Sequence, residues 1–109
     1  MNFKTTTHTV KATGDGPERR FITFNGALAG ANDAVLGVSQ TAFKTGSVFT
    51  ADIIGVTEVE AGGPIAKGDK ITPDATGRAI KAPGDATNVV GRAVNDVTSV
   101  GAGALVLIR

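Results

Sequence analysis

Between Pro64 and Ala82 the chain reads PIAKGDKITPDATGRAIKA, and two tight corners fall within that short span. Pro73 presets its backbone angle, Asp74 is able to bond its own backbone, and Gly77 accepts the positive φ that closes a turn. The segment therefore reads as a strand at Lys70-Ile71-Thr72, a turn from Pro73 to Gly77 and a returning strand from Arg78 to Lys81. Ile71 and Ile80 are expected on one side of it, with Lys70, Arg78 and Lys81 toward solvent. Gly68-Asp69 makes the other corner, just after Ile65. Strands this short do not stand alone. The chain is expected to be all-β: a compact small barrel or sandwich of short antiparallel strands with an extended N-terminal arm.

At 109 residues the chain fits one domain, which buries roughly two-thirds of its unfolded surface, enough for a single core. With no Trp or Tyr and five Phe, that core must be built mainly from Val, Ile, Leu and Ala. Residues 1–20 differ from the rest. Thr5, Thr6, Thr7, Thr9 and Thr13 favour strand, yet only Phe3 and Val10 offer apolar bulk, and Gly14-Asp15-Gly16-Pro17-Glu18 reads as loop. We expect an arm over 1–20 and a barrel-like body over 21–109. The arm is either a frayed terminus or a strand that gains order on a neighbour's sheet edge.

Within the body, Phe21-Ile22-Thr23-Phe24 reads as a first core strand, and Ala27 to Asp33 as a loop despite its alanines. Val35 to Val38 follows as a strand, and Ser47 to Ile54 is longer, with Gly55 to Glu60 continuing it or pairing beside it. Val89 to Val94 precedes the last strand, Ala104 to Ile108, whose nearly unbroken apolar run implies cover on both faces. Gly37, Gly55 and Gly91 each follow two large aliphatic residues. Glycine inside a strand marks a bulge or a close backbone approach, as at the corners of small barrels.

Residues that carry chemistry are sparse. His8 is the sole histidine, set among threonines and expected to be exposed. Ser39, Ser47 and Ser99 lack the G-x-S-x-G context of an activated serine. Asp15, Asp69, Asp74 and Asp85 each adjoin Gly or Pro, which marks turn chemistry, and Glu58 and Glu60 fit a solvated strand face. Gly101-Ala102-Gly103 leads into a strand, not into a helix whose N-terminus would take a phosphate. Zero cysteines exclude disulfides and thiolate catalysis. A net charge of +1 gives no electrostatic reason to expect nucleic acid. No stretch approaches the roughly eighteen apolar residues of a membrane span, and MNFKTTTHTV has no apolar signal core. Neither catalysis nor a cofactor or metal site is expected.

With strands and glycine corners in place, residues 26–109 resemble the bacteriophage capsid cement or head decoration proteins. The resemblance rests on Leu36-Gly37-Val38, Lys44-Thr45-Gly46-Ser47-Val48 and Ile54-Gly55-Val56. It continues through Ile65-Ala66-Lys67-Gly68-Asp69-Lys70-Ile71, the turn at Asp74 to Gly77 and Val90-Gly91-Arg92-Ala93, and closes in Ala104-Leu105-Val106-Leu107. The Thr-rich start departs from the family pattern, in which a strand and glycine turn come earlier. What the resemblance implies is an accessory protein on the outer capsid surface of the virion, made in the host cytoplasm. It would bridge neighbouring subunits of an expanded head against the pressure of packaged DNA, its modest contacts adding through multivalency. The implied partners are the major capsid protein and sister copies, a trimer before a dimer, with no nucleic acid and no membrane. Candidate capsid or inter-subunit contacts are Phe3, Lys4, Val10, Lys11, Arg19, Arg20, Leu105 and Leu107. The alternative is a surface-exposed carbohydrate- or host-binding β-module of the virion, although such sites commonly use aromatic platforms and Trp and Tyr are absent here. A swinging-arm carrier domain needs a lysine at a hairpin tip, whereas Lys70 enters a strand.

Overall fold

One strand spans the molecule and touches both of its apolar clusters. The computed structural model describes residues 5–84, 86 and 88–108, so Phe3, Lys4 and Asp85 lie outside the described residues. Eight strands follow in order: β1 (Thr5–Lys11), β2 (Phe21–Ile22), β3 (Gly37–Ser39), β4 (Val48–Glu60), β5 (Lys70–Pro73), β6 (Ala79–Lys81), β7 (Gly91–Ala93) and β8 (Gly103–Ile108). The described residues contain no helix. All strand pairings are antiparallel, and the sheet path runs β2-β3-β4-β8-β7-β5-β6, with β1 added beside β4. The two ends of the path meet. Phe21 N–H donates to the Gly77 carbonyl at 2.8 Å, and Gly62 N–H to that of Ala79 at 2.8 Å. The sheet is nearly closed into a barrel.

The two stretches read from Ser47 to Ile54 and from Gly55 to Glu60 fold as one continuous strand, the 13 residues Val48–Glu60. Ala51 pairs with His8 on one edge and Ser39 on the other, while Gly55 pairs with Thr5 and Ile108. The β1 edge of β4 is thus opposite the edge shared in succession by β3 and β8. At the changeover the register slips by one residue near Ile53, and Gly55 takes φ 117°, outside the range of L side chains. This bulge brings Thr57 round to Asp52, whose buried carboxylate accepts from the Thr57 hydroxyl at 2.7 Å and from Gln40 Nε2 at 2.6 Å.

Sequence reasoning allowed one core. The structure holds two clusters, the larger from Phe21, Val38, Val59, Ile71, Val106 and Ile108 among others, the smaller from Val10, Ala12, Ile22, Phe43, Phe49 and Ala51. Adjacent residues of β2 serve both, because alternate side chains of a strand point to opposite faces. Phe43 and Phe49 stack at 4.4 Å between ring centroids. Residues 1–20 are accordingly graded. Thr6 to Thr9 are exposed, but Val10 and Ala12 are buried, and Gly16 and Phe43 exchange backbone bonds at 2.9 Å.

Two local expectations are corrected. The first core strand stops at Ile22, because Thr23 N–H turns to the Ala27 carbonyl and leaves Phe24 on the turn, 67% exposed. In the 70–81 hairpin, Pro73 remains in the strand opposite Ala79, so Ile71 stands across from Lys81 and Thr72 across from Ile80. Directly opposite residues share a face. Ile71, fully buried, and Ile80, half-buried, therefore lie on opposite faces.

Candidate contact surface

The β4–β8–β7–β5 part of the sheet has two unlike faces, each set by register. On the inner face, Gly55, Ile108, Gly91 and Ile71 form one row, followed by Thr57, Val106 and Ala93, then Val59 and Ala104. Gly91 is required there, since a methyl group would meet the Leu107 carbonyl oxygen. Directly behind lies an outer row: Val56 on β4, Leu107 on β8, Arg92 on β7 and Lys70 on β5. A shorter row is formed by Glu58 and Leu105, with Val94 N–H donating to the Leu105 carbonyl at 2.7 Å. Val56, Leu105 and Leu107 are half-buried, Val94 is exposed, and Ile54, two residues before Val56, is 53% exposed. An apolar centre thus crosses the central strands.

At one end of this face the charges are paired. Arg19 Nη1 meets Glu58 Oε1 at 2.8 Å. Glu58 first by hydrogen bonding, then by its charge, raises the Arg19 pKa above its ordinary value. Arg19 sits at φ 57°, and its carbonyl accepts from Glu60 N–H at 2.9 Å. Next to it, Arg20 Nη2 meets Glu60 Oε2 at 2.9 Å and Nη1 donates to the Thr76 carbonyl at 2.9 Å. Arg20 Nε is buried without a hydrogen-bond partner among the described residues. Arg78 completes the corner, 3.9 Å from Glu60 and 3.2 Å from Asp74. Asp74 Oδ1 accepts from the N–H groups of Thr76 and Arg78 at 2.8 and 2.9 Å and from the Thr76 hydroxyl at 3.0 Å. Burial pushes the Asp74 carboxyl up, but these backbone and hydroxyl bonds and the Arg78 charge outweigh it and hold it below the usual range.

At the other end the charges are unpaired. Lys70 and Arg92 are exposed and stand directly opposite each other. Arg92 Nη1 donates to the Gly68 carbonyl at 3.0 Å, and neither cation reaches a carboxylate among the described residues.

The candidates named from sequence fall in different places. Leu105 and Leu107 lie side by side on the outer face, and Arg19 borders it through Glu58. Arg20 is only 16% exposed and committed within the chain. Val10 is buried against the smaller cluster, and Lys11 beside it is exposed. Phe3 and Lys4 lie outside the described residues. Glu58 and Glu60, expected to be merely solvated, anchor the paired corner. Sequence reasoning missed Val56, Val94, Lys70 and Arg92 as neighbours of the two leucines, because only strand register brings them together.

Where β4 passes from β3 to β8 its edge opens into a groove of about 320 Å³, lined by Phe24, Leu36, Ile53, Val89 and Ile108 among others. Asn88 is the one polar side chain in its described lining, and its amide already donates to the Asn32 carbonyl at 2.8 Å. No set of three or more metal-ligating side chains gathers among the described residues.

Comparison with curated proteins finds no match. Among solved structures, the crystal structure of the head fiber gp8.5 N base in bacteriophage phi29 is similar, with a TM-score of 0.78 and 20% identity over 97% of this chain and 95% of that one. At that identity the likeness speaks for the fold. The model of the phage cement protein family matches residues 2–109, nearly the full length. The chain therefore belongs to the phage cement protein family.

Proposed function

We propose that this protein decorates the outer surface of an expanded phage head and stabilises it by bridging neighbouring capsid subunits. Membership of the phage cement family supports a capsid accessory role within the virion. The observation that carries the finer reading is the outer face, where Val56, Leu105, Leu107 and Val94 form an apolar centre on the middle strands. Contiguous exposed apolar surface rimmed by polar groups marks an interaction site. We take Leu105 and Leu107 as its anchors and Arg19 as a contact at its border; Lys11, and Phe3 and Lys4 outside the described residues, are kept as further contact candidates without a place on this face. Self-association into a trimer would set several such faces on one shell, so that release requires all contacts to break together.

The test uses purified protein and expanded empty heads of the phage that encodes it. Wild type is expected to co-sediment with the heads and raise their disruption temperature. The double variant Leu105→Asp/Leu107→Asp should lose both effects while retaining a cooperative melt. Failure of the wild type to bind such heads removes the proposal.

A further inference from the structure

We propose that the outer face docks an acidic segment of the shell protein, one that sets an apolar side chain over Leu107 and a carboxylate over Lys70 and Arg92. The inference rests on the reading of this face as the docking surface and names the chemistry of its occupant. Four directly paired positions carry it: Val56, Leu107, Arg92 and Lys70 run in one line across four strands. Two apolar residues are thus followed by two cations. Like charges directly opposite on a sheet repel, and no described carboxylate relieves this pair. A partner carboxylate placed between them would gain from both charges and would also fix the direction in which the segment lies.

The chain's own carboxylates favour a different protein as the source. Asp15 accepts from Thr45 N–H, Asp33 from Gly30, Asp69 from Ala66 and Asp96 from Lys67. Asp52, Asp74, Glu58 and Glu60 are held as described above. Only Glu18, among the described carboxylates, has neither a hydrogen bond nor an ion pair. Among its described residues a second copy therefore offers one free acid where the face has two cations, the other described carboxylates being engaged by its own turns and by its own Arg19, Arg20, Arg78, Gln40 and Thr57.

The experiment measures binding to expanded empty heads across a salt series for wild type, Leu107→Ala, Lys70→Gln/Arg92→Gln and Lys70→Glu/Arg92→Glu, each first shown to melt as wild type does. We expect wild-type affinity to fall as salt rises. The glutamine pair should bind about tenfold more weakly at low salt with a flattened salt dependence, and the glutamate pair more weakly still. If Leu107→Ala binds like wild type, the docking face itself is misplaced. If Leu107→Ala is weakened while both charge pairs bind like wild type, the face stands and the acidic partner is refuted. Sedimentation of the free proteins supplies the remaining arm. Loss of self-association in the charge pairs, restored by adding Glu18→Lys to the glutamate pair, makes the occupant a second copy and overturns the proposal.

Discussion

Two charged regions of this small sheet are built on opposite terms. At the corner where β4, the start of β2 and the β5–β6 turn meet, Arg19, Arg20 and Arg78 each face a carboxylate. Across the outer face, Lys70 and Arg92 face each other. Exposure alone does not separate the two sets, since Arg19 is 52% exposed and still paired. The difference lies in what the charges hold. Arg20 ties the end of the longest strand to the hairpin carbonyl of Thr76, beside the Phe21-to-Gly77 bond that brings the sheet ends together. Among the described residues the side chains of Lys70 and Arg92 hold no more than the Gly68 carbonyl. Charges of the first kind stabilise the barrel. Those of the second kind stand exposed beside each other and are the ones we propose a partner meets.

The comparison breaks most readily at Arg20. Replacing it by Ala leaves Glu60 with only the 3.9 Å contact to Arg78 and strips a donor from the Thr76 carbonyl. Removing one partner of a largely buried, charge-assisted pair costs about 2 kcal/mol. For a domain of this size that lowers the thermal midpoint by roughly 10 °C. A calorimetric scan showing a drop of only a degree or two would place Arg20 with the surface cations and dissolve the distinction.

Asp74 sharpens the same contrast through pH. Its carboxyl titrates lower in the folded chain than in the unfolded one. Its contribution is therefore complete above about pH 4, the ordinary range of an aspartate, and is lost as pH falls through the depressed folded value. Asp74→Asn should weaken the turn at neutral pH by about 1 kcal/mol, since an amide accepts less strongly from the same N–H groups. It should also flatten the acid limb of stability against pH. Denaturant melts between pH 2 and 7 measure both, and an acid limb of unchanged slope in the variant would assign acid sensitivity elsewhere.

How far these regions were legible from sequence follows from the distance over which each is assembled. The Asp74-to-Gly77 turn is local, and Pro73, Asp74 and Gly77 announced it within five residues. Strand β8 was legible from its apolar run, the first half of β4 from its β-formers, and Gly91 from its place behind two aliphatic residues; that β4 runs on through Gly55 to Glu60 is decided only by its pairings with β1 and β8. Pairing register was not. Ile71 and Ile80, expected on one face, lie on opposite faces because Pro73 stayed in the strand, and one residue of slip inverts every side chain. The Arg19–Glu58 and Arg20–Glu60 pairs join positions 39 and 40 residues apart, which no spacing rule reaches. Val10 disappeared into the smaller cluster because Phe43 and Phe49 arrive from a distant loop and strand to cover it. The outer row has the same origin: Leu105 and Leu107 were visible as apolar residues, but their cationic neighbours depend on two separate strand pairings, β7 with β8 and β5 with β7.

The smallest expected effect is the most exacting test of the contrast. Lys70→Ala and Arg92→Ala remove exposed cations that pair with no described carboxylate, so each should change stability by no more than about 0.5 kcal/mol. The sign for Lys70→Ala should be neutral or favourable, because the substitution relieves a like-charge neighbour across the strand pair. Arg92→Ala also loses the Gly68 carbonyl bond, so it should fall slightly below Lys70→Ala. Adding salt should close the gap between wild type and Lys70→Ala, since screening removes the same repulsion. If instead either alanine lowers the midpoint as far as Arg20→Ala does, the row is part of the barrel's own support, and its two cations are not held in reserve for a partner.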